Sequence, residues 1–193
     1  MKLNIQKICA SALLIAIGLI IPLFSPIRIR LDPASFTLAS HVPIFIAMMI
    51  SPGTALGVAL GTTLGFFLSS PIVIAMRAAT HLLFALAGAY YLQKVPDLLE
   101  HPVKTRIFSL VIGIIHAAAE VAVVIPFYFN NNLSAGFYDK GFFVSVVLLV
   151  GVGSVLHSMI DFEIALAIVK ALSKQRSFSA LLPPQRVHGQ QHS

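Results

Sequence analysis

Long apolar stretches constrain this chain more than any other feature of its sequence. Of its 193 residues, 58% are hydrophobic and only 10% are charged, and the mean hydropathy is +0.91. A helix needs about 20 consecutive apolar residues to cross the hydrocarbon core of a bilayer. A chain of this length has room for roughly six such helices and no further soluble domain. The sequence therefore predicts an all-α integral membrane protein.

Clusters of proline, glycine, asparagine and charged residues mark where the apolar stretches end. They divide residues 1–176 into one membrane domain of six transmembrane helices, predicted at residues 4–24, 38–51, 53–69, 71–93, 105–129 and 141–171. The first apolar run is longer than the core of a usual signal peptide and no cleavage site follows it, so it is interpreted as a helix. Residues 177–193 are expected to form a disordered cytoplasmic tail.

Lysine and arginine orient the predicted helices. Six spans place both termini on one side, and basic residues near the ends of spans are retained in the cytoplasm. The side that holds the termini carries most of the basic residues, whereas the opposite side carries only Arg28, Arg30 and Lys140. Both termini are therefore predicted to be cytoplasmic. This bias also explains the net charge of +6 without a nucleic-acid partner.

Ionisable residues inside the predicted helices come in pairs that are four residues apart. The pairs are Arg77 with His81, His116 with Glu120, and His157 with Asp161. Residues at this spacing share one face of a helix. Because charge inside a bilayer is costly, such groups mark a functional site or an internal pair.

The depth of each residue follows from the helical rise of about 1.5 Å per residue. Arg77, His81 and Glu120 are expected to meet at one level in the outer half of the bundle. His157 and Asp161 are expected deeper, near the inner interface, as a structural lock or a cytoplasmic contact.

Two interpretations of the group formed by Arg77, His81 and Glu120 remain open. Arg77 and Glu120 can form an ion pair that joins two helices, with His81 as a hydrogen-bonding neighbour. Alternatively, Arg77 can bind an anion, since its planar guanidinium matches a carboxylate and the pairing is strong in a cavity of low dielectric constant. The two interpretations are compatible if Glu120 holds Arg77 in position for a ligand.

The predicted outer loops offer further binding groups. The end of the fifth span carries amide and aromatic candidates for ligand contact, which are Phe127, Tyr128, Asn130, Asn131 and Asn132. Amide side chains both donate and accept hydrogen bonds. An aromatic belt with a turn of asparagines is the alternative interpretation. The proline-containing loop at residues 26–40 is a candidate lid.

Small residues form two stripes along the predicted helices. Gly53, Gly57, Gly61 and Gly65 recur every fourth residue, which lets another helix approach closely and indicates internal packing. Ala12 and Ala16 have the same spacing on the first span. Packing inside the chain and docking of another protein are both open for this second pair.

Several chemistries lack their sequence signatures. There is no Walker A sequence, no H-E-x-x-H and no G-x-S-x-G, so the sequence favours neither an ATPase nor a common hydrolase. The single cysteine, Cys9, excludes an internal disulfide and a thiolate metal cage. The histidines are dispersed over separate helices, without the spacing of a structural zinc site. No enzyme activity, metal or cofactor is therefore expected.

The chain resembles the substrate-binding S components of energy-coupling factor (ECF) transporters. The resemblance is carried by "FTLASHVPIFIAMMISPGTALGVALGTTLGFFL" at 36–68, by "RAATHLLFALAGAYYL" at 77–92, and by the Ala12-x-x-x-Ala16 face. It implies a multi-pass protein of the cell membrane that binds a vitamin from outside. It also implies docking through Ala12 and Ala16 onto a membrane-embedded coupling subunit, which sits on two cytoplasmic ATPases. The loop at 26–40 would be the outer gate.

The substrate implied by the resemblance is a small vitamin carboxylate. Arg77 suits the carboxylate, and the three asparagines favour pantothenate, with niacin as the alternative. A small proton-coupled carrier is a second class of function, in which His81, His116, Glu120 and His157 would relay protons. Such carriers often contain inverted repeats, and no convincing repeat is present here. An intramembrane enzyme is a third class.

Overall fold

The computed structural model describes residues 5–24, 28–31, 34–37 and 39–183. Their helices and strands follow in chain order: α1 Ile5–Phe24, β1 Arg28–Leu31, β2 Ala34–Thr37, α2 Val42–Ile50, α3 Pro52–Ser69, α4 Ile72–Ala79, α5 His81–Lys94, α6 Pro102–Phe129, α7 Ala135–Asp139, a π-helical segment Phe143–Val152, α8 Gly153–Leu172 and α9 Arg176–Ser179. A 3₁₀ turn at Leu98–Glu100 precedes α6. The described part of the chain contains one β-hairpin and is otherwise built from helices and their connections.

Five helical segments in the described part of the chain are long and apolar enough to cross a membrane. They are Ile5–Phe24, Pro52–Ser69, Ile72–Lys94, Pro102–Phe129 and Phe143–Leu172, with mean hydropathies from 1.2 to 2.3. Many of their large apolar side chains are exposed, among them Leu13, Leu64 and Ile160. Since apolar side chains on a spanning helix face lipid, this exposure fits a membrane bundle.

The predicted second span at 38–51 is shorter than expected. Its helix, α2, covers only Val42–Ile50, and all nine of its residues are buried. At about 1.5 Å per residue, α2 reaches roughly 14 Å, which is half of a hydrocarbon core. The prediction placed residues 39–41 in this helix, but Ala39 has a φ of 64° and α2 begins only at Val42. Residues 34–37, which were predicted to belong to a loop, form a strand. The helix therefore begins in the middle of the bundle.

Three of the four glycines of the α3 stripe, Gly57, Gly61 and Gly65, pack inside the bundle as predicted, and their partner is α1. Gly53 has no neighbour within 4 Å of the position of a methyl group. A methyl group at Gly61 would lie 2.8 Å from Ile15 Cγ2, and one at Gly65 would lie 2.5 Å from the carbonyl oxygen of Leu19. On α1, a methyl group at Gly18 would lie 2.6 Å from Thr62 Oγ1. The residue numbers of the contacting pairs increase together along both helices, so α1 and α3 run parallel. Their backbones approach as closely as small residues allow.

Two predicted spans are irregular. The span expected at 71–93 is divided into α4 and α5 at Thr80, whose Oγ1 donates a 2.6 Å hydrogen bond to the carbonyl oxygen of Arg77. The span expected at 141–171 begins with ten π-helical residues. A π-helix forms i→i+5 hydrogen bonds and winds more residues into each turn, so it advances less per residue than an α-helix. Depths counted along that span with the α-helical rise are therefore too large.

The two ends of the bundle differ. α6 runs antiparallel to α5, because Phe84 packs on His116 and Tyr91 packs on Phe108. It also runs antiparallel to α8, because Glu120 bonds Ser154 while Phe108 packs on Phe162. The hairpin, in which Arg28 pairs with Thr37, lies at the same end as the α3–α4 turn, because Thr37 and Pro71 line one cavity. α6 ends at this same end, and α7 follows it there. We call this the hairpin end.

The end of the described chain is more ordered than predicted. Residues 177–193 were expected to be a disordered tail, but Arg176–Ser179 forms α9. Phe178 and Leu182 pack on the core, and Leu181 is buried. Residues 184–193 of that tail lie outside the described part of the chain.

Candidate functional site

The N-terminus of α2 meets a buried carboxylate in the middle of the bundle. Asp161 of α8 is fully buried, and its Oδ1 accepts a 3.0 Å hydrogen bond from the backbone N–H of Ala39. Its Oδ2 accepts from the backbone N–H of His41, also at 3.0 Å. A carboxylate is favourable at this position because the helix dipole is positive there. Asp161 thus fixes the start of α2.

Four histidine rings gather around this point. The centroid of the His41 ring lies 4.6 Å from that of His81, 4.6 Å from that of His116 and 4.8 Å from that of His157. His41 Nδ1 lies 3.0 Å from Asp161 Oδ2, and His41 Nε2 lies 3.3 Å from His81 Nε2. The four rings come from four separate helical elements. The fold therefore builds a histidine cluster that no local motif encodes.

Arg77 and Glu120 form a buried ion pair beside the histidines. Arg77 Nη2 donates a 2.9 Å hydrogen bond to Glu120 Oε2, and Ser154 donates to the same oxygen. The other oxygen, Oε1, lies 3.4 Å from His116 Nε2 and 3.7 Å from His81 Nε2. Glu120 therefore joins Arg77 to the histidine cluster.

A cavity of about 220 Å³ connects these groups with the hairpin end. It is lined by Thr37, Ser40, His41, Phe66, Ser69, Ser70, Pro71, Ile74, Arg77, Ala78, His81, His116, Glu120, Ser154 and His157. Thr37 belongs to β2, so the hairpin forms part of its wall. Below the histidines, the rings of Phe45, Phe84 and Phe162 pack together with centroids 5.3 to 5.5 Å from that of Phe45. These phenylalanines do not line the cavity and belong to the apolar core beneath its histidines.

Several polar atoms of the cavity wall are buried without a hydrogen-bond partner among the described residues. They are Nε of Arg77, Nδ1 of His81, and Nδ1 and Nε2 of His116. Unsatisfied buried polar groups are rare in native proteins, and each costs about 1–3 kcal/mol. A bound ligand or ion would satisfy them.

The structure brings together three of the residues that the sequence singled out. Arg77, His81 and Glu120 line one cavity, as the depth arithmetic predicted. The remaining candidates lie elsewhere. The asparagines at 130–132 are exposed in a turn where Asn131 has a φ of 55°, and Tyr128 packs against Tyr138 and Phe142. Neither they nor Phe127 line the cavity.

The placement of His157 and Asp161 corrects the sequence prediction. They were expected near the inner interface, but His157 lines the cavity and Asp161 bonds His41. The π-helical segment contributes to the difference, since it advances less per residue than an α-helix and so shortens the path from the hairpin end.

Sequence reasoning missed His41. It lies within the predicted 38–51 span and has no ionisable residue four positions away, so the spacing rule could not find it. The available signal was the polar Ser40-His41 pair directly before an unbroken apolar run.

Two groups of side chains have the chemistry of metal ligands. His41, His81 and His116 each offer one nitrogen, and His41, His157 and Asp161 form a second, overlapping group. The ligand atoms within each group lie no more than 4.8 Å apart. Dispersal along the sequence therefore does not prevent histidines from meeting at one point.

The predicted docking residues lie on the opposite side of α1 from its packing face. Ala12 and Ala16 are exposed, whereas Gly18 is buried against α3. Ser11 Oγ lies 2.9 Å from Thr54 Oγ1 and joins the inner face to α3.

Comparison with curated proteins finds a relative in Lactococcus lactis subsp. cremoris (strain MG1363), the niacin transporter NiaX. The two are 43% identical over 174 residues, which are 90% of this chain and 77% of the relative. No protein-family model matches the chain, and no solved structure matches it significantly. A match of this length includes most of the elements that build the cavity.

Proposed function

The chain belongs to the family of the niacin transporter NiaX, and we propose that it is the substrate-binding S component of an ECF transporter for niacin. It is a multi-pass transport protein of the plasma membrane and not an enzyme. The S-component role is supported by the sequence resemblance at 36–68 and 77–92. ATP hydrolysis would be performed by two partner ATPases, through a membrane-embedded coupling subunit.

One observation carries the proposal of an anion site. Arg77 is held by Glu120 through Nη2, while its Nε is buried without a hydrogen-bond partner and Arg77 lines the cavity. A guanidinium that is already fixed by one carboxylate loses little freedom when it binds a second. Arg77 therefore presents an oriented donor to the carboxylate of a ligand.

The cavity favours niacin over pantothenate. Its volume of about 220 Å³ is smaller than the ~300–1,000 Å³ of pockets for drug-sized ligands. Niacin is a single substituted ring, whereas pantothenate is an extended chain. The four histidine rings and the Phe66 ring on the cavity side offer faces for a flat ring. The asparagines that favoured pantothenate lie outside this cavity, and the relative transports niacin.

The proposed topology places the hairpin end outside the cell and both termini in the cytoplasm. It counts α2 and the residues before it as one crossing, which makes six. The bias of lysine and arginine supports this orientation, and it opens the cavity to the exterior. In the proposal, the exposed Ala12 and Ala16 face the coupling subunit, and the hairpin acts as the outer gate.

A titration of the purified chain tests the substrate. We expect saturable binding of niacin in detergent solution by isothermal titration calorimetry, and much weaker binding of nicotinamide. Nicotinamide is the matched control because it keeps the pyridine ring and replaces the carboxylate with a neutral amide. Equal affinity for the two, or tighter binding of pantothenate, would contradict the proposal.

A proton-coupled carrier is the second candidate, and the network of histidines with Glu120 and Asp161 favours it. The energy source distinguishes the two. Niacin uptake by an ECF transporter requires the ATPase partners and continues when the proton gradient is collapsed. A proton-coupled carrier would show the reverse in the same uptake assay.

A further inference from the structure

Three histidines at the floor of the cavity lie close enough together for their ring nitrogens to contact one common ion. His41, His81 and His116 are buried to 4%, 2% and 1% exposure and come from three different helical elements. Each offers a nitrogen within 4.8 Å of the other two. Imidazole nitrogen is a preferred ligand of Zn²⁺ and other late first-row transition-metal ions.

Asp161 sets the protonation pattern of His41. Its Oδ2 accepts hydrogen bonds from both the backbone N–H and the Nδ1–H of His41, each at 3.0 Å. With the proton on Nδ1, the lone pair of the neutral ring lies on Nε2, which faces His81. A carboxylate that holds the far nitrogen of a histidine is the usual support behind a metal ligand.

The spacing of one pair of nitrogens matches a tetrahedral site. Two nitrogens bound to Zn²⁺ at 2.0–2.1 Å lie about 3.3 Å apart when the angle between them is tetrahedral. His41 Nε2 and His81 Nε2 are 3.3 Å apart. His116 has no hydrogen-bond partner at either ring nitrogen among the described residues, so it retains a nitrogen for a third bond.

The net charge of the buried groups also favours binding of a cation. A histidine must be neutral to bind a metal ion. With the histidines in that form, the buried ionised groups of the described chain are the positive Arg77 and the negative Glu120 and Asp161. A carboxylate ligand would leave this cavity with two uncompensated negative charges, and uncompensated buried charge is strongly unfavourable. One divalent cation would balance them.

We propose that His41, His81 and His116 bind one divalent transition-metal ion, such as Zn²⁺. The open fourth position takes the pyridine nitrogen of niacin, while the carboxylate of niacin meets Arg77. The first statement concerns the metal alone, and the second rests on the proposed function. Together they give the site two recognition points, one at each end of the ligand.

Metal binding is tested on the full chain without any vitamin. The protein is stripped with a chelator, and Zn²⁺ is titrated in competition with a chromophoric chelator. We expect one ion per chain, a rise in thermal unfolding temperature with Zn²⁺, and the visible absorption of tetrahedral Co²⁺ when Co²⁺ is used instead. The temperature and absorption readings need no variant. Absence of stoichiometric binding in the wild-type protein would overturn the proposal.

Variants assign the ligands. His41→Ala, His81→Ala and His116→Ala are each expected to weaken Zn²⁺ binding at least 100-fold. His101→Ala is the matched control, because the His101 side chain is 51% exposed and precedes α6 at the far end from the hairpin. Equal loss in the control, or no loss in folded variants of the three, would place the ion elsewhere and contradict the proposal.

The fourth position is tested with niacin and benzoate, which share a carboxylated ring but differ in the ring nitrogen. Zn²⁺ is expected to raise niacin affinity at least 10-fold and to leave benzoate affinity unchanged within about 3-fold. Niacin binding that is indifferent to metal would overturn this inference and leave the proposed function standing. No niacin binding with or without Zn²⁺ would instead refute the proposed function, while the metal titration still decides the ion site.

Discussion

In the proposed site, Arg77 both forms an ion pair with Glu120 and contacts the ligand. Its Nη2 forms a 2.9 Å ion pair with Glu120, and its Nε is left without a partner in the wall of the cavity. A buried ion pair alone contributes little net stability, although removing one partner is costly. The pair therefore serves best as a support that orients Arg77 for a ligand.

Variants at this pair separate the structural role from the binding role. Arg77→Ala leaves Glu120 buried without its cation, and we expect a loss of about 3–5 kcal/mol in the free energy of unfolding. The double variant Arg77→Met, Glu120→Gln removes both charges and is expected to recover most of that stability. Neither variant should bind niacin. Thermal unfolding and titration measure the two effects, and tight niacin binding by the stable double variant would refute the anion site.

The sequence could identify only part of the site. The i to i+4 spacing and helical depth located Arg77, His81 and Glu120. The segment Ile72–Lys94 still crosses as one span despite its division at Thr80, and α6 is continuous. The same rule failed at His41, which precedes a half-length helix and finds its partners only in the folded bundle. It also misplaced Asp161, since the preceding π-helical turns cannot be recognised from apolar composition.

At the scale of elements, α2 positions residues of the cavity, and α1 and α3 form a close helix contact. α2 begins at mid-bundle, where Asp161 holds its N-terminus and where His41, the residue before it, lines the cavity. The parallel contact of α1 with α3 depends on glycine, since a methyl group at Gly65 would meet the backbone of Leu19. Glycine spacing predicted that this face of α3 packs inside the bundle but not that α1 is its partner. Nothing in the uniform apolar run at 42–50 indicated a short helix.

The glycine contact gives a test with an internal control. Gly65→Ala is expected to lower the free energy of unfolding by about 1–3 kcal/mol, because backbone atoms cannot move aside as a flexible side chain can. Gly53→Ala is the matched variant on the same helix, since a methyl group there would meet nothing within 4 Å. Thermal unfolding in detergent measures both. Equal melting temperatures for the two variants would contradict close packing of α1 on α3.

At the scale of the whole molecule, the hairpin end and the far end face different compartments in the proposed topology. Cysteine labelling tests it on a Cys9→Ser background. A cysteine at Asn131, in an exposed turn of the hairpin end, should react with a membrane-impermeant maleimide on intact cells. A cysteine at Lys174, just after α8, should react only after the cells are opened. The opposite pattern would invert the topology.

The proposed docking face concerns the assembled transporter. Ala12→Trp and Ala16→Trp should abolish niacin uptake while leaving niacin binding by the purified chain unchanged. A bulky ring on the exposed face of α1 would keep a partner helix at a distance without touching the cavity. Ile160→Trp is the control, because this side chain is 53% exposed on α8. Normal uptake in both alanine variants would move the interface elsewhere.

An experimental structure of the chain with niacin bound tests the central claim most directly. The account predicts that the ring occupies the cavity between the hairpin and the histidines, with a carboxylate oxygen about 3 Å from a nitrogen of Arg77. Niacin in the turn of Asn130–Asn132, or outside the cavity that Arg77 lines, would contradict it.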